Sequence, residues 1–331
     1  MKRLLAAVVL SLAAALPAWA QKTVTFAYQD MMNPFRWVQQ TGEIEKATGY
    51  KINWRQFGGG GDVIRAMASG DVAIGEVGST GVATAISQGM DVDLFWILED
   101  IASAEALVAR NGSGVNTIAD LKGKKVGTPF VSTSHFQLLY ALQKAGLKPG
   151  DVQVLNMRPP EIAAAWGRGD IDATFIWDPV LSQVKKNGKV LMTSGDICKE
   201  GACTFDGLVV SKKFATENPA FMVALVKALA KSDADYRANP KTWTGDSAKT
   251  AAVAKWSGGK PEDVADAMAL YGFPTLQDQA SPKWLGGGNE GAAAKALAQQ
   301  ANFLKEQGRL QSVAPDFSKN VTTQWVTQAM K

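Results

Sequence analysis

The chain has 331 residues, 46% of them apolar, with 35 basic side chains against 31 acidic ones. The basic residues are scattered rather than clustered, which leaves no electrostatic footprint for nucleic acid or for an anionic membrane surface. So long a chain exceeds a single small core and suits two packed lobes.

The first twenty residues form a compartment signal. Lys2 and Arg3 make a positive head, an apolar run follows from Leu4 to Leu16, and Ala18-Trp19-Ala20 offers small residues at both recognition positions of a signal peptidase. About 13 apolar residues fall short of the roughly 20 needed to span a bilayer. No Cys follows the cut to carry a lipid. The expectation is a cleaved signal peptide over residues 1–20 and a mature periplasmic chain beginning at Gln21. Removing Lys2 and Arg3 leaves 33 basic residues against 31 acidic.

Beyond Gln21, short apolar runs alternate with amphipathic stretches, the pattern of α/β layers. Predicted strands are Thr23–Tyr28, Lys51–Phe57, Val72–Val77, Asp93–Ile97, Lys125–Thr128, Val152–Asn156 and Ala173–Trp177. A helix over Gln137–Ala145 puts Leu138, Leu139 and Leu142 on one face and stops at Gly146. Asn218-Pro219 opens another as cap and first-turn proline, with Met222, Leu225, Val226, Leu229 and Tyr236 on one stripe before Pro240 halts it.

The stretch Ala66–Val72 (AMASGDV) is echoed by Ala165–Ile171 (AWGRGDI), 99 residues later. Each ends a helix with Gly-Asp and enters an apolar strand, which fits two similar lobes and equally a common αβ turn. The apolar segments Glu105–Arg110 and Gly207–Ser211 are read as the two crossings between lobes. The first lobe is then 21–108 plus 207–331, and the second is 109–206. Cys198 and Cys203, the only cysteines, lie in a polar stretch. In an oxidising compartment they are expected to close a small loop as a disulfide. Two Cys and one His cannot complete a zinc site, and no metal or other cofactor is expected.

Three strands run into small-residue turns that open helices: Gly58-Gly59-Gly60-Gly61-Asp62, Gly78-Ser79-Thr80-Gly81, and Ser132-Thr133-Ser134-His135. Free amides at a helix start, with the macrodipole behind them, favour an anion. Ser or Thr there can equally cap its own helix. No turn has the Gly-Lys-[Ser/Thr] of a P-loop or the dinucleotide fingerprint. A second group is acidic and aromatic: Asp30, Glu76, Glu99-Asp100, Trp177-Asp178 and Asp206. Converging on a cleft, these suit an ammonium or guanidinium through ion pairing and cation–π attraction; dispersed, they are surface acids and a core Trp. Catalysis has little to work with. His135 is the only histidine and no Gly-x-Ser-x-Gly elbow accompanies it, so the chain is read as a non-enzyme.

At Pro129–His135 (PFVSTSH), Arg158–Trp166 (RPPEIAAAW), Arg168–Asp172 (RGDID) and Ile176–Pro179 (IWDP) the chain resembles the nitrate/sulfonate/taurine group of type II periplasmic binding proteins, and within it the taurine receptors. The resemblance spans essentially the whole mature chain. It implies two α/β lobes, each a mixed sheet flanked by helices, with a small solute held in the interlobe cleft. It further implies a monomeric receptor that delivers its solute to a membrane permease with its own ATPase. By the same resemblance Asp206 receives an amine, Trp177 is a cleft aromatic, and Ser79, Thr80 and Ser132, Thr133 and His135 fall in ligand-facing turns. Departures concern the ligand. Glu76 stands where a neutral polar residue is expected, Glu99-Asp100 are more acidic than the pattern, Asp178 replaces a small residue, and the four-glycine run is unusual. Taurine or a related aminosulfonate leads, and a small cation such as guanidine is the alternative. From another class, the resemblance also admits the thiamine-pyrimidine synthase of the same fold, whose cytoplasmic chemistry conflicts with an export signal.

Overall fold

A computed structural model describes residues 21–331; the expected signal peptide, residues 1–20, lies outside the described residues. The strands, in chain order, are β1 (Thr23–Tyr28), β2 (Lys51–Gln56), β3 (Ile74–Gly78), β4 (Val92–Asp100), β5 (Glu105–Arg110), β6 (Lys125–Thr128), β7 (Gln153–Asn156), β8 (Ala173–Trp177), β9 (Gly188–Thr193) and β10 (Phe205–Ser211). The helices that matter for the site are α1 (Phe35–Thr41), α2 (Gly60–Ala68), α3 (Ser79–Ser87), α4 (Thr133–Lys144), α5 (Pro159–Arg168), α6 (Pro219–Ala238) and α7 (Ala292–Glu306).

The strands form two five-stranded sheets, ordered β2-β1-β3-β10-β4 and β7-β6-β8-β5-β9. In each, the first three strands run parallel and the last two pair antiparallel to what precedes them. The fourth strand of each sheet is the one that arrives from the other lobe. Thus β5, entering from the first lobe, sits beside β8, and β10, returning from the second, sits beside β3. The echo noticed in the sequence is part of this repeat. Gly70 (φ 84°) and Gly169 (φ 77°) end α2 and α5 in the left-handed region, where glycine carries no Cβ penalty. The amides of Asp71 and Asp170 then return to Ala66 and Ala165 at 3.1 and 2.9 Å.

Both segments read as crossings are strands. Residues 105–110 alternate Leu107 and Ala109 onto one face of the second sheet with Ala106 and Val108 onto the other, the period-two signature of a strand buried on both sides. Gly207–Ser211 belongs to β10 in the first sheet. The chain therefore changes sheet over Ile101–Ala104 and Ser194–Thr204, upstream of the boundaries at 108 and 206. Strand β9 is an edge strand with half-exposed side chains and no apolar alternation, so its sequence carried no signal. Helix α4 begins at Thr133, four residues before the expected start, because Ser132 caps it: its Oγ accepts from the His135 amide at 3.1 Å. Helix α6 runs as expected, although the Asn218 side chain does not cap it. That amide accepts from the Tyr50 hydroxyl and donates to the Phe214 carbonyl instead.

The larger core joins the first sheet (Phe26, Ile74, Trp96, Leu208) to α6 and α7 through Leu225, Leu229 and Leu297. The second sheet carries one cluster on each face. Cys198 and Cys203 are joined in the second crossing, their Cα atoms 4.1 Å apart. No helix of the described residues is long and apolar enough to cross a membrane.

Candidate functional site

The carboxyl ends of β1, β3, β6 and β8 face the interlobe cleft, the place where open α/β sheets bind ligands. Three helices of nine or more residues start there: α2 at Gly60, α3 just after Gly78, and α4 at Thr133. The cavity between them is narrow, with about 10 Å³ of interior room. The first lobe lines it with Gln29, Met31, Gly60, Gly78 and Asp206, and the second with Glu105, Ser132, Thr133 and Trp177.

The lobes stand close together, and glycine is what lets them. A Cβ on Gly78 would lie 2.9 Å from Thr133 Cγ2, across the cleft, and 3.0 Å from Asp206 Oδ1. Around the four-glycine run, a Cβ on Gly58 would meet Arg158 Cδ at 2.9 Å, and one on Gly60 would sit 3.4 Å from the Val131 carbonyl. The unusual glycines therefore seat the turn of the second lobe over the start of α2. Val131 in that turn holds φ 60°, a strained conformation for a β-branched residue of the kind that clusters at ligand sites. Arg158 reaches across to Asp62 at 3.2 Å, and Trp177 Nε1 donates across to Asp30 Oδ1 at 2.7 Å.

Two carboxyls face the cavity. Asp206, on β10, is 5% exposed. Burial, then the neighbouring Glu99, Glu105 and Glu76, hold it well above the usual carboxylate range. Glu105, on β5, is 2% exposed. Its Oε1 accepts from Thr133 Oγ1 at 2.6 Å, while Oε2 is buried with no partner. Burial pushes it up to about 7. Behind Asp206 lies a connected network. Arg36 Nη2 donates to both oxygens of Glu76, at 2.6 and 2.8 Å, with neither side chain exposed. Asn33 Nδ2 reaches Glu76 at 3.3 Å and both Glu99 oxygens at 3.2 Å. Burial and the Glu76 charge push Glu99 well up.

Of the acidic, aromatic and turn residues singled out in the sequence, Ser132, Thr133, Trp177 and Asp206 come together on the cavity wall. The other side chains stand elsewhere. Glu76 is spent on Arg36. The Ser79 and Thr80 hydroxyls both donate to Gln300 Oε1 on α7, at 3.0 and 2.7 Å, locking α3 to α7 rather than facing the cleft. Asp100 accepts from the Ala102 amide at 3.1 Å and shapes the first crossing. Asp178 accepts from the Ser182 amide at 2.8 Å, holding the turn after β8. Asp30 stands behind Trp177, where burial pushes its carboxyl up to about 6. His135 stacks on Phe130 with ring centroids 4.2 Å apart, and burial pulls its imidazole down to about 4. Gly60 and Gly78 line the cavity too, from the small-residue turns singled out in the sequence, whereas Gln29, Met31 and Glu105 were not among the expected cavity walls. Glu105 had one signal: a lone acid at the start of an apolar run, much as Asp206 stands in Phe205–Ser211.

Residues 46–243 match a protein family described as NMT1/THI5 like. The chain is 37% identical over 303 residues to the taurine-binding periplasmic protein of Escherichia coli (strain K12), covering 92% of each. In fold it is similar to the periplasmic aliphatic sulphonate binding protein from Escherichia coli, with a TM-score of 0.67 and 24% identity over 92% of each chain. It is similar also to the alkanesulfonate-binding protein from Xanthomonas axonopodis pv. citri bound to MOPS. There the TM-score is 0.70 and the identity 23%, over 87% of this chain and 94% of that one.

Proposed function

The chain belongs to the NMT1/THI5-like family, and on that premise we propose that it is the periplasmic receptor of an ABC importer for taurine or a related small aminosulfonate. It captures the solute between its lobes and hands it, as a monomer, to a permease with its own ATPase; it catalyses nothing. The observation that carries the reading is the composition of one small cavity. The starts of α2, α3 and α4 reach it as Gly60, Gly78 and Thr133, and Asp206 and Glu105 face it as carboxyls. Helix starts suit a sulfonate, whose charge the free amides and the macrodipoles stabilise. A carboxylate suits an ammonium. Met31 and Trp177 supply apolar surface for a short carbon link.

A second reading is favoured by the count of carboxyls: two acids lining one cavity together with Trp177 also suit guanidine. Calorimetric titration of the mature protein with taurine, ethanesulfonate and guanidine separates the two. Taurine should bind wild type. Asp206→Ala should weaken it by about 2–5 kcal/mol, the cost of stripping one partner from a buried charge pair. Thr133→Asp should abolish it by setting a second carboxylate beside Glu105 at the start of α4, where it also opposes the sulfonate. A wild type that ignores taurine and binds guanidine would overturn the solute and leave the receptor.

A further inference from the structure

We infer that Glu105 is the second amine-reading residue of the cavity, so that the two lobes each contribute one carboxyl and together demand a cation with at least two N–H donors. The inference deepens the receptor reading and rests on it.

The fold sets the two acids in matching places. Asp206 is the second residue of β10 and pairs in register with Gly78, the last residue of β3. Glu105 opens β5 and pairs with Trp177, the last residue of β8. In each lobe a carboxyl thus stands at the start of the incoming strand, beside the cleft end of the central parallel strand. Both line the same cavity, from opposite sides.

Glu105 is held for this task. Its amide donates to Ser194 Oγ at 3.2 Å, and that hydroxyl donates back to the Glu105 carbonyl at 3.0 Å, so the backbone is fixed to the second crossing. Thr133 pins Oε1 at 2.6 Å, and Thr133 itself is wedged against Gly78 of the other lobe. What remains is Oε2, buried in the cavity wall without a donor. A buried carboxylate oxygen left unpaired is costly; besides Thr133, only the Ser134 hydroxyl, itself without a partner, stands close enough to act on this carboxyl. A ligand N–H supplies what is missing. One N–H can serve only one of the two lobes, so closing on both acids takes two. A primary ammonium or a guanidinium has them. A trimethylammonium has none, and a plain alkanesulfonate lacks the cation altogether.

The test titrates wild type, Glu105→Gln and Glu105→Asp at pH 8 with taurine, N,N,N-trimethyltaurine, ethanesulfonate and guanidine, with circular-dichroism melts confirming that each variant folds. Wild type should prefer taurine over its trimethyl analogue. Glu105→Gln keeps the shape but not the charge. It should lose about tenfold in taurine affinity, the order expected for one hydrogen bond to a charged group, and narrow that preference. Glu105→Asp, which keeps the carboxyl, should retain more of the preference than Gln does. Unchanged taurine affinity and preference in Glu105→Gln would overturn the role of Glu105 and leave the aminosulfonate reading intact. If wild type binds guanidine and not taurine, the solute reading falls, and guanidine becomes the probe. A tenfold loss in Glu105→Gln then upholds the inference, and no loss overturns it. Wild type binding none of the cationic ligands would overturn both.

Discussion

The two lobes repeat one strand order around the cleft and put different chemistry behind it. In the first lobe the middle residue of β3 is Glu76, buried and joined to Arg36, Asn33 and Glu99. In the second lobe the matching position of β8 is Phe175, packed among Leu107, Val126 and Phe136. Asp206 therefore stands in front of a charged network and Glu105 in front of an apolar wall. Both are pushed up mainly by burial, but only Asp206 also feels acids behind it. Equal topology fixes where a carboxyl sits; the layer beneath decides how it holds its proton.

The largest expected effect breaks the first lobe's side of that contrast. Arg36 is fully buried, donates to Met31 O and Gln39 Oε1 as well as to Glu76, and lies 5.3 Å from the Tyr28 ring. Arg36→Met leaves Glu76 as an uncompensated buried charge, which should cost about 3–5 kcal/mol in urea unfolding. Adding Glu76→Gln should recover most of the loss, since removing both partners of a buried pair is often nearly neutral. If Arg36→Met unfolds at the wild-type urea midpoint, the network is not what holds the first lobe together.

Much of this was legible in the sequence, and the failures have physical causes. β1, β6 and β8 were read to the residue because alternation and flanking turns coincide there. Ser132, Thr133, Trp177 and Asp206 could be placed at the cleft because small-residue turns and strand ends point there in α/β folds. Glu76 was misjudged because an acid in an apolar strand looks functional until Arg36, 40 positions away, is seen to reach it. Ser79 and Thr80 looked like ligand donors because nothing local reveals Gln300. Glu105 was overlooked because β5 was read as a connection, and a residue in a connection is not asked what it faces. In each case the missing fact is a contact distant in the chain.

A smaller effect sharpens the comparison through pH. Glu105 is an ordinary glutamate raised from 4.5 to about 7 in the folded protein. The folded state therefore holds a proton that the unfolded state has released between those values. That contribution is full below 4.5 and lost as pH rises through 7, and it is worth on the order of 3 kcal/mol at most. Asp206 and Glu99, both raised, act in the same direction. The unliganded protein should thus lose stability between pH 5 and 8, and Glu105→Gln should flatten the lower part of that slope. Taurine should show the opposite trend, because its ammonium binds the carboxylates and expels their protons. Its affinity should rise over the same range. A wild-type profile already flat without ligand would show that the lobes open and rehydrate Glu105 instead of protonating it.

The smallest effect concerns a second contrast, between the crossings. The first, Ile101–Ala104, is short and tied on both sides: Ile101 N donates to Thr204 O at 3.3 Å and Ser103 N to Leu270 O at 3.1 Å. The second, Ser194–Thr204, is longer and carries the Cys198–Cys203 disulfide. A bridge closing so small a loop restricts the unfolded chain by about 2 kcal/mol in the entropic account. Replacing both cysteines by serine should therefore lower the unfolding free energy from urea titration by about that amount. Taurine affinity should hardly change, because neither cysteine lines the cavity. The crossing does touch the site at two removes, however. Ser194 fixes the Glu105 backbone, and Thr204 Oγ1 accepts from Gln137 Nε2 on α4 at 2.8 Å. If affinity falls while stability does not, the disulfide works by keeping Ser194 and Thr204 in register with Glu105 and α4, and the longer crossing belongs to the binding apparatus rather than to the scaffold.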